Sequence, residues 1–239
     1  SLLYRSDAWR QKLIAANATQ VVLVVATEPS FSDEFLSRCL CAAESQHLKT
    51  LIVLNKADIE AGLATSRALL PEDFRDNYIV IQPTSRWFFK CWREDRMSAL
   101  INALSAEGYA VVLTSGPDDR EKQMVETIIA GCPQARLHSL AGQLTLRQLA
   151  AVIDHARLFI GVDSVPMHMA AALGTPLVAL FGPSKLTFWR PWQAKGEVIW
   201  AGDFGPLPDP DAINTNTDER YLDLIPTDAV IAAAKKVLA

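Results

Sequence analysis

Residues 158–184 read "LFIGVDSVPMHMAAALGTPLVALFGPS", and the order of residue types in this stretch decides the fold. Leu158–Val162 is a short apolar run that stops at an acid, Asp163, and a hydroxyl, Ser164. The pattern then takes the spacing of a helix, closes on Gly174 and returns to a second short apolar run at 177–181. Two such runs joined by a helix make a strand–helix–strand unit with parallel strands. A strand-to-helix turn aims the first amides of the helix outward, so Asp163-Ser164 is a candidate anion-binding turn to which the Ser164 hydroxyl adds a donor. A plainer reading has Asp163 or Ser164 capping the helix and His168 filling its buried face.

The same alternation extends in both directions. Runs at 21–26 (VVLVVA), 50–54 (TLIVL), 78–81 (YIVI), 110–114 (AVVLT) and 197–200 (EVIW) read as strands. Between most of them lie helical patterns such as "SDEFLSRCLCAAESQ", "REDRMSALINALSAEG", "DREKQMVETIIAG" and "TLRQLAAVIDHAR", several of which open on Ser, Asp or Thr. Repetition of strand and helix predicts the α/β class, a Rossmann-like doubly wound parallel sheet with helices on both faces. Ligands of such sheets bind beyond the carboxyl ends of the strands, which directs attention to the turns that follow them.

Composition limits the function classes. A chain of 239 residues, 50% of them hydrophobic, buries a sizeable core and folds as one large or two small domains. Its formal charge of −4, from 23 basic and 27 acidic side chains, leaves no electrostatic footprint for nucleic acid. Cys39, Cys41, Cys91 and Cys132 show neither a C-x-x-C pair nor zinc-site spacing, and read as reduced thiols of a cytoplasmic protein without a metal site. No apolar run approaches the roughly 18 residues of a membrane span. The chain opens on "SLLYRSDAWRQK", with Ser in place of Met, as a fragment would.

Two irregular stretches divide the pattern. The polar segment 59–77, "IEAGLATSRALLPEDFRDN", is helix-like and separates two strand-rich halves, which places the domains at 1–70 and 71–239. Segment 202–219, "GDFGPLPDPDAINTNTDE", is longer than an ordinary connection and reads as a site loop. Within it, Asp203-Phe204-Gly205 imitates a kinase triplet and Asp209-Pro210-Asp211 the paired acids of metal-dependent sugar transferases; without the surrounding motifs both read as coincidence.

Residues 53–58, "VLNKAD", spell a guanine-reading motif at a strand end: an Asp accepts from the guanine ring N–H and amino group, an Asn bonds the other polar edge, and a Lys stem covers the base. Asp58 alone also reads as a helix cap. Together with "LLYRSDAWRQKLIAAN" and "VVLVVATEPSFSDEFLSRCL", residues 1–61 resemble the circularly permuted bacterial GTPases of small ribosomal subunit assembly. The resemblance implies that Asn55, Lys56 and Asp58 descend from a guanine site, and that this segment supplies a helix, a strand, a helix and a strand. The phosphate-binding loop and magnesium switch of that family do not follow, and phosphoryl transfer has no physical basis without them.

From about residue 70 the chain resembles the lipopolysaccharide core heptosyltransferases, glycosyltransferase family 9, enzymes of the GT-B plan with two Rossmann-like domains. The residues that carry this are "LFIGVDSVPMHMAAALGTPLVALFGPS", the strand exit "IQPTSRWFFKCW" and the acids of "GPDDRE". The match is to the donor-binding half. It implies that Ser85 and Lys90 contact the diphosphate of ADP-heptose, that Asp163, Ser164 and the following helix hold the sugar and phosphates, and that His168 supports the turn. One acid among Asp118, Asp119 and Glu121 reaches nucleotide or sugar. Val165 stands where the family often has Gly, which bears on close backbone approach.

The implied reaction is an inverting displacement at the anomeric carbon, the leaving diphosphate stabilised by Lys90 and helix amides rather than by a metal. The acceptor, lipopolysaccharide core in that family, needs a base from the acceptor-binding domain, and Asp7 lacks the matching context. The resulting expectation is a domain that binds ADP-heptose or ADP without full transferase activity and with no other cofactor. The alternatives are an engineered or recombined chimera without native function and, more weakly, residual guanine-nucleotide binding. The C-terminal "TDAVIAAAKKVLA", apolar on one stripe, is expected to bridge back to the N-terminal unit.

Overall fold

The computed structural model describes residues 2–6, 11–16, 20–26, 36, 39–40, 43, 49–55, 68–75 and 77–239. Six parallel strands form the main sheet: β5 (Tyr78–Gln82), β6 (Ala110–Leu113), β7 (Leu137–Ser139), β8 (Leu158–Val162), β9 (Leu177–Phe181) and β10 (Gly196–Trp200). The connecting helices are α1 (Glu94–Ala106), α2 (Asp119–Ala130), α3 (Leu146–Asp154), α4 (Val165–Leu173) and the single turn α5 (Leu186–Trp189), with α6 (Thr227–Leu238) closing the chain.

Every residue of β5, β6, β8 and β9 is buried, which is why these strands read as continuous apolar runs rather than alternating ones. Successive side chains still point to opposite faces. Ile79, Ile81, Val111, Leu113, Ile160 and Val178 meet Leu100, Ile101 and Leu104 of α1 and Met124, Val125 and Ile128 of α2. On the other face Val80, Val112, Phe159, Ala179 and Phe181 meet Leu149, Val152 and Ile153 of α3 and Met167 and Ala170 of α4.

Local signals fix the helix ends. Asp118 caps α2 by accepting from the Arg120 amide, and Thr145 and Gln148 form a reciprocal capping box at the start of α3. Gly174 ends α4 in the left-handed region, at φ +75°, where a side chain would be strained.

Strand order is β10-β9-β8-β5-β6-β7. The chain therefore winds from β5 through β6 to β7, returns past β5 to β8, and winds the other way through β9 to β10. The reversal opens a crevice between the carboxyl ends of β5 and β8, the place where doubly wound sheets bind ligands.

The first residues depart from expectation. Where residues 2–16 read as helical, β1 (Leu2–Ser6) and β2 (Gln11–Ala16) pair antiparallel, with Leu3 opposite Ala15 and Tyr4 opposite Leu13. Cross-strand pairing outweighs the helical propensity of a leucine- and alanine-containing segment. β3 (Gln20–Ala26) and β4 (Lys49–Asn55) pair parallel in a sheet of their own, separate from the six-stranded one. Helical Leu36, Leu40 and Ala43 lie between them, spaced to share one face, and all are buried. Leu36 and Leu40 pack against Leu23 and Ile52 and against Val165 and Trp189 of the main domain.

The C-terminal helix α6 buries Val230 and Ala234 in the α1 face of the main core and packs on α1, β8, β9 and β10. In the 59–77 stretch the described residues hold one short 3-10 turn, Glu72–Phe74, in place of a helix, and 56–67 lie outside the described residues. β7 and α5, of three and four residues, are too short to show a period.

Candidate functional site

The chain leaves β5 through Pro83, Thr84 and Ser85, makes a 3-10 turn at Phe88–Lys90 and enters α1. It leaves β8 through Asp163 and Ser164 directly into α4. Lys90 and Asp163 meet across the crevice: Lys90 Nζ donates to Asp163 Oδ2 at 2.7 Å, with the two side chains 11% and 4% exposed. Desolvating a charge pair to this degree costs free energy that the attraction roughly offsets, so the pair is a weak source of stability. Two indoles flank the ammonium, Trp87 at 4.9 Å and Trp189 at 5.8 Å from their ring centroids.

Ser164 occupies the N-cap position of α4 but its hydroxyl donates to Val162 O, and no side chain caps the helix. The plainer reading of this turn as a side-chain cap is thereby set aside; at the head of α4 Pro166 carries no N–H and the Met167 amide donates to Ser164 O at 3.2 Å, which leaves the Val165 amide as the orphan donor of the first three residues. His168, one turn further, is partly buried. Burial holds its imidazole below the ordinary histidine pKa; Asp163 pulls it upward and Lys90 presses it down. His168 thus lies within electrostatic reach of both members of the Lys90–Asp163 pair.

Ser85 is held by a buried thiol. Its amide donates to Cys91 Sγ at 3.2 Å, the thiol lies 3.7 Å from its carbonyl, and its Oγ accepts from the Trp87 amide at 3.4 Å. Burial pushes the Cys91 thiol up to about 12, so it acts as a neutral tie that closes the 85–91 loop.

The three acids of the "GPDDRE" stretch separate cleanly. Asp118 is spent on the α2 cap, and the Asp119 side chain is 98% exposed and paired with Lys122 on the surface. Glu121 turns inward: its Oε2 accepts from Thr84 Oγ1 at 2.5 Å and from the Gly116 amide at 3.1 Å. A Cβ at Gly116 would come within 2.9 Å of Glu121 Oε1, so glycine permits the approach. Behind this contact Thr114 donates to Gln82 Oε1 at 2.6 Å, and Gln82 donates to Thr84 at 3.0 Å, a chain of donors that ends on the Glu121 carboxylate. Gln82 and Thr114 escaped the sequence reading; their signal is a polar residue at the end of an otherwise apolar strand.

Segment 202–219 runs along the rim. Lys185, after β9, pairs with Asp211 at 2.7 Å, and Arg120, at the start of α2, pairs with Asp218. Asp209 caps a 3-10 turn at Pro210–Ala212, so the apparent Asp-Pro-Asp motif is turn chemistry. Among the described residues no group of three His, Cys, Asp or Glu side chains stands close enough to hold a metal, and no helix is long and apolar enough to cross a membrane. Of the guanine-motif residues, Asn55 ends β4, while Lys56 and Asp58 lie outside the described residues.

A family model described as glycosyltransferase family 9 (heptosyltransferase) matches residues 41–218. The chain belongs to glycosyltransferase family 9. Within that family it is 51% identical over 162 residues to lipopolysaccharide heptosyltransferase 3 of Escherichia coli, covering 68% of this chain and 47% of the relative. The chain thus spans about half the length of that relative. The solved E. coli ADP-heptose heptosyltransferase II superposes with a TM-score of 0.59 at 24% identity, over 75% of this chain and 51% of that one, which shows the fold. A second likeness accompanies the first: small ribosomal subunit biogenesis GTPase RsgA of Nitrosospira multiformis is 43% identical over 133 residues, 51% of this chain and 40% of the relative. Both resemblances read in the sequence therefore have counterparts among known proteins.

Proposed function

We propose that this chain binds ADP-heptose or ADP in the crevice between β5 and β8, as the donor-binding part of a heptosyltransferase-like protein of the cytoplasm. The observation that carries the reading is the buried Lys90–Asp163 pair at the N-terminus of α4. Lys90 neutralises the diphosphate in place of a metal, with the Val165 amide at the head of α4 as a further donor. Ser85 and Ser164 add hydroxyl donors, Asp163 orients Lys90 and accepts from a sugar hydroxyl, and His168 supports the turn. Glu121, fixed by Thr84 and Gly116, is the acid that accepts from ribose or heptose.

Transfer to a lipopolysaccharide core acceptor would need a base as well, and the crevice acids Glu121 and Asp163 are assigned above to the donor, so donor binding without full transfer is the function we assign. Isothermal titration of the chain with ADP, ADP-heptose, GDP and UDP tests it. ADP and ADP-heptose are expected to bind and UDP to fail. A flat response to both adenosine ligands would refute the assignment and leave a recombined scaffold. The GTPase likeness and Asn55 at the end of β4 favour one second reading, residual guanine-nucleotide binding, and a GDP response alone would select it.

A further inference from the structure

Lys90 is more enclosed than its carboxylate partner explains. Its ammonium carries three N–H donors, and among the described residues Asp163 is its one oxygen partner. The remaining enclosure is aromatic. Trp87 opens the 3-10 turn that ends at Lys90, and residues three apart in such a turn eclipse, which lays the Trp87 ring beside the ammonium. The Trp87 ring runs parallel to Phe89 at 6.2 Å, and Phe89 meets Tyr221 edge-on at 6.4 Å, so the indole is braced from behind. Trp189 arrives from the far side of the crevice, at the end of α5 after β9.

We infer that Trp87 and Trp189 form a two-sided aromatic clamp that positions the Lys90 ammonium for a nucleoside diphosphate, and that they are positioning residues for donor binding. A ring face attracts a cation without taking its N–H groups as an oxygen acceptor does. Replacing water by two indoles therefore keeps the charge in a drying crevice and leaves N–H donors for phosphate oxygens. A second carboxylate would stabilise the ammonium as well but would occupy those donors and repel the anion. The clamp also removes rotamers from a long side chain before the ligand arrives, lowering the ordering cost of binding. This inference rests on the donor-binding reading above.

The test is calorimetric titration of ADP into the full chain carrying Trp87→Leu, Trp87→Phe, Trp189→Leu or Trp189→Phe, alone and with Lys90→Met. Each Leu variant is expected to weaken ADP about 2- to 30-fold, the range of a cation–π contact, and each Phe variant to recover most of the loss because the ring face returns. In the Lys90→Met background the Leu and Phe variants are expected to bind alike. Binding by the parent chain with equal affinity for Leu and Phe variants overturns the clamp and leaves the donor site standing. A Leu-to-Phe difference that persists without Lys90 also overturns it, because the rings then act by packing. Absence of ADP binding by the parent chain overturns the donor reading and the clamp together. Thermal melting of each variant separates loss of fold from loss of clamp, and Trp87 variants leave the Leu36–Leu40 contact of Trp189 untouched.

Discussion

Replacing Lys90 by Met removes the positive member of a pair whose side chains are 11% and 4% exposed. Two effects compete. The pair as a whole contributes little to stability, since burying both ions costs nearly what their attraction returns; deleting one ion leaves the Asp163 carboxylate desolvated and uncompensated, at about 3–5 kcal/mol. The N-terminus of α4 lies beside Asp163 and stabilises a negative charge by about 0.3–1 kcal/mol, which places the expected loss near the lower end of that range. Urea denaturation should therefore find Lys90→Met about 3 kcal/mol less stable than the parent. Asp163→Asn added to Lys90→Met removes the stranded charge and should restore most of that stability, since a neutral pair of similar volume is often tolerated. ADP affinity should not return, because the loss of about 1–3 kcal/mol from a charge-assisted phosphate contact stays in both variants. A Lys90→Met variant as stable as the parent would show the pair to be solvated and refute the reasoning, as would recovery of ADP binding in the double variant.

Further outcomes can be measured independently. Because the folded pKa of His168 is depressed below its ordinary 6.5, the unfolded state binds more protons as pH falls through that value; stability should be full above it and decline with acidification, and His168→Gln should flatten this part of the curve. Cys91, with its thiol pushed up to about 12, should resist alkylation at neutral pH in the native state and react on unfolding, as read by mass spectrometry of the labelled peptide. No GTP should be hydrolysed with magnesium and ribosomal subunits, there being no Gly-Lys dipeptide in the chain; turnover that disappears in Asp58→Ala would contradict this. Leu36→Ala should lower hydrogen-exchange protection in 20–55 while leaving 78–82 unchanged, because Leu36 joins the N-terminal unit to Val165 and Trp189 rather than to the main core.

The sheet was legible because its strands are buried on both faces. Runs such as Tyr78–Gln82 and Leu177–Phe181 are continuous and apolar, and they alternate with capped helices at a spacing that leaves one fold class. Lys90 and Asp163 were legible for the same reason: each follows a readable strand, and the carboxyl ends of β5 and β8 bound the crevice. The choice among Asp118, Asp119 and Glu121 was not legible. Successive residues of a helix point about 100° apart, so three acids within one turn go to a cap, to solvent and to the interior, and only the placement of α2 says which is which. Trp87 and Trp189 lie a hundred positions apart and owe their meeting to the return of the chain to β9, which no local pattern encodes. Residues 2–6 and 11–16 misread as helix because a two-stranded pairing is stabilised between strands rather than along each segment.

The β3–β4 unit meets the main domain at a small apolar joint, and its position matters more than its size. Fully burying two leucines stabilises by about 1.5–3 kcal/mol each, so Leu36 at 2% and Leu40 at 7% exposure can hold the β3–β4 unit against the main domain without approaching the strength of the main core. The surfaces they use are not neutral ones. Val165 begins the helix that leaves β8 at the crevice, and Trp189 is one wall beside the Lys90 ammonium. The apolar Val165 at the head of α4 fits this arrangement: its side chain gives Leu36 and Leu40 a surface to meet, where a glycine would give none. The N-terminal unit therefore meets the rim of the crevice between β5 and β8 on the side of Val165 and Trp189.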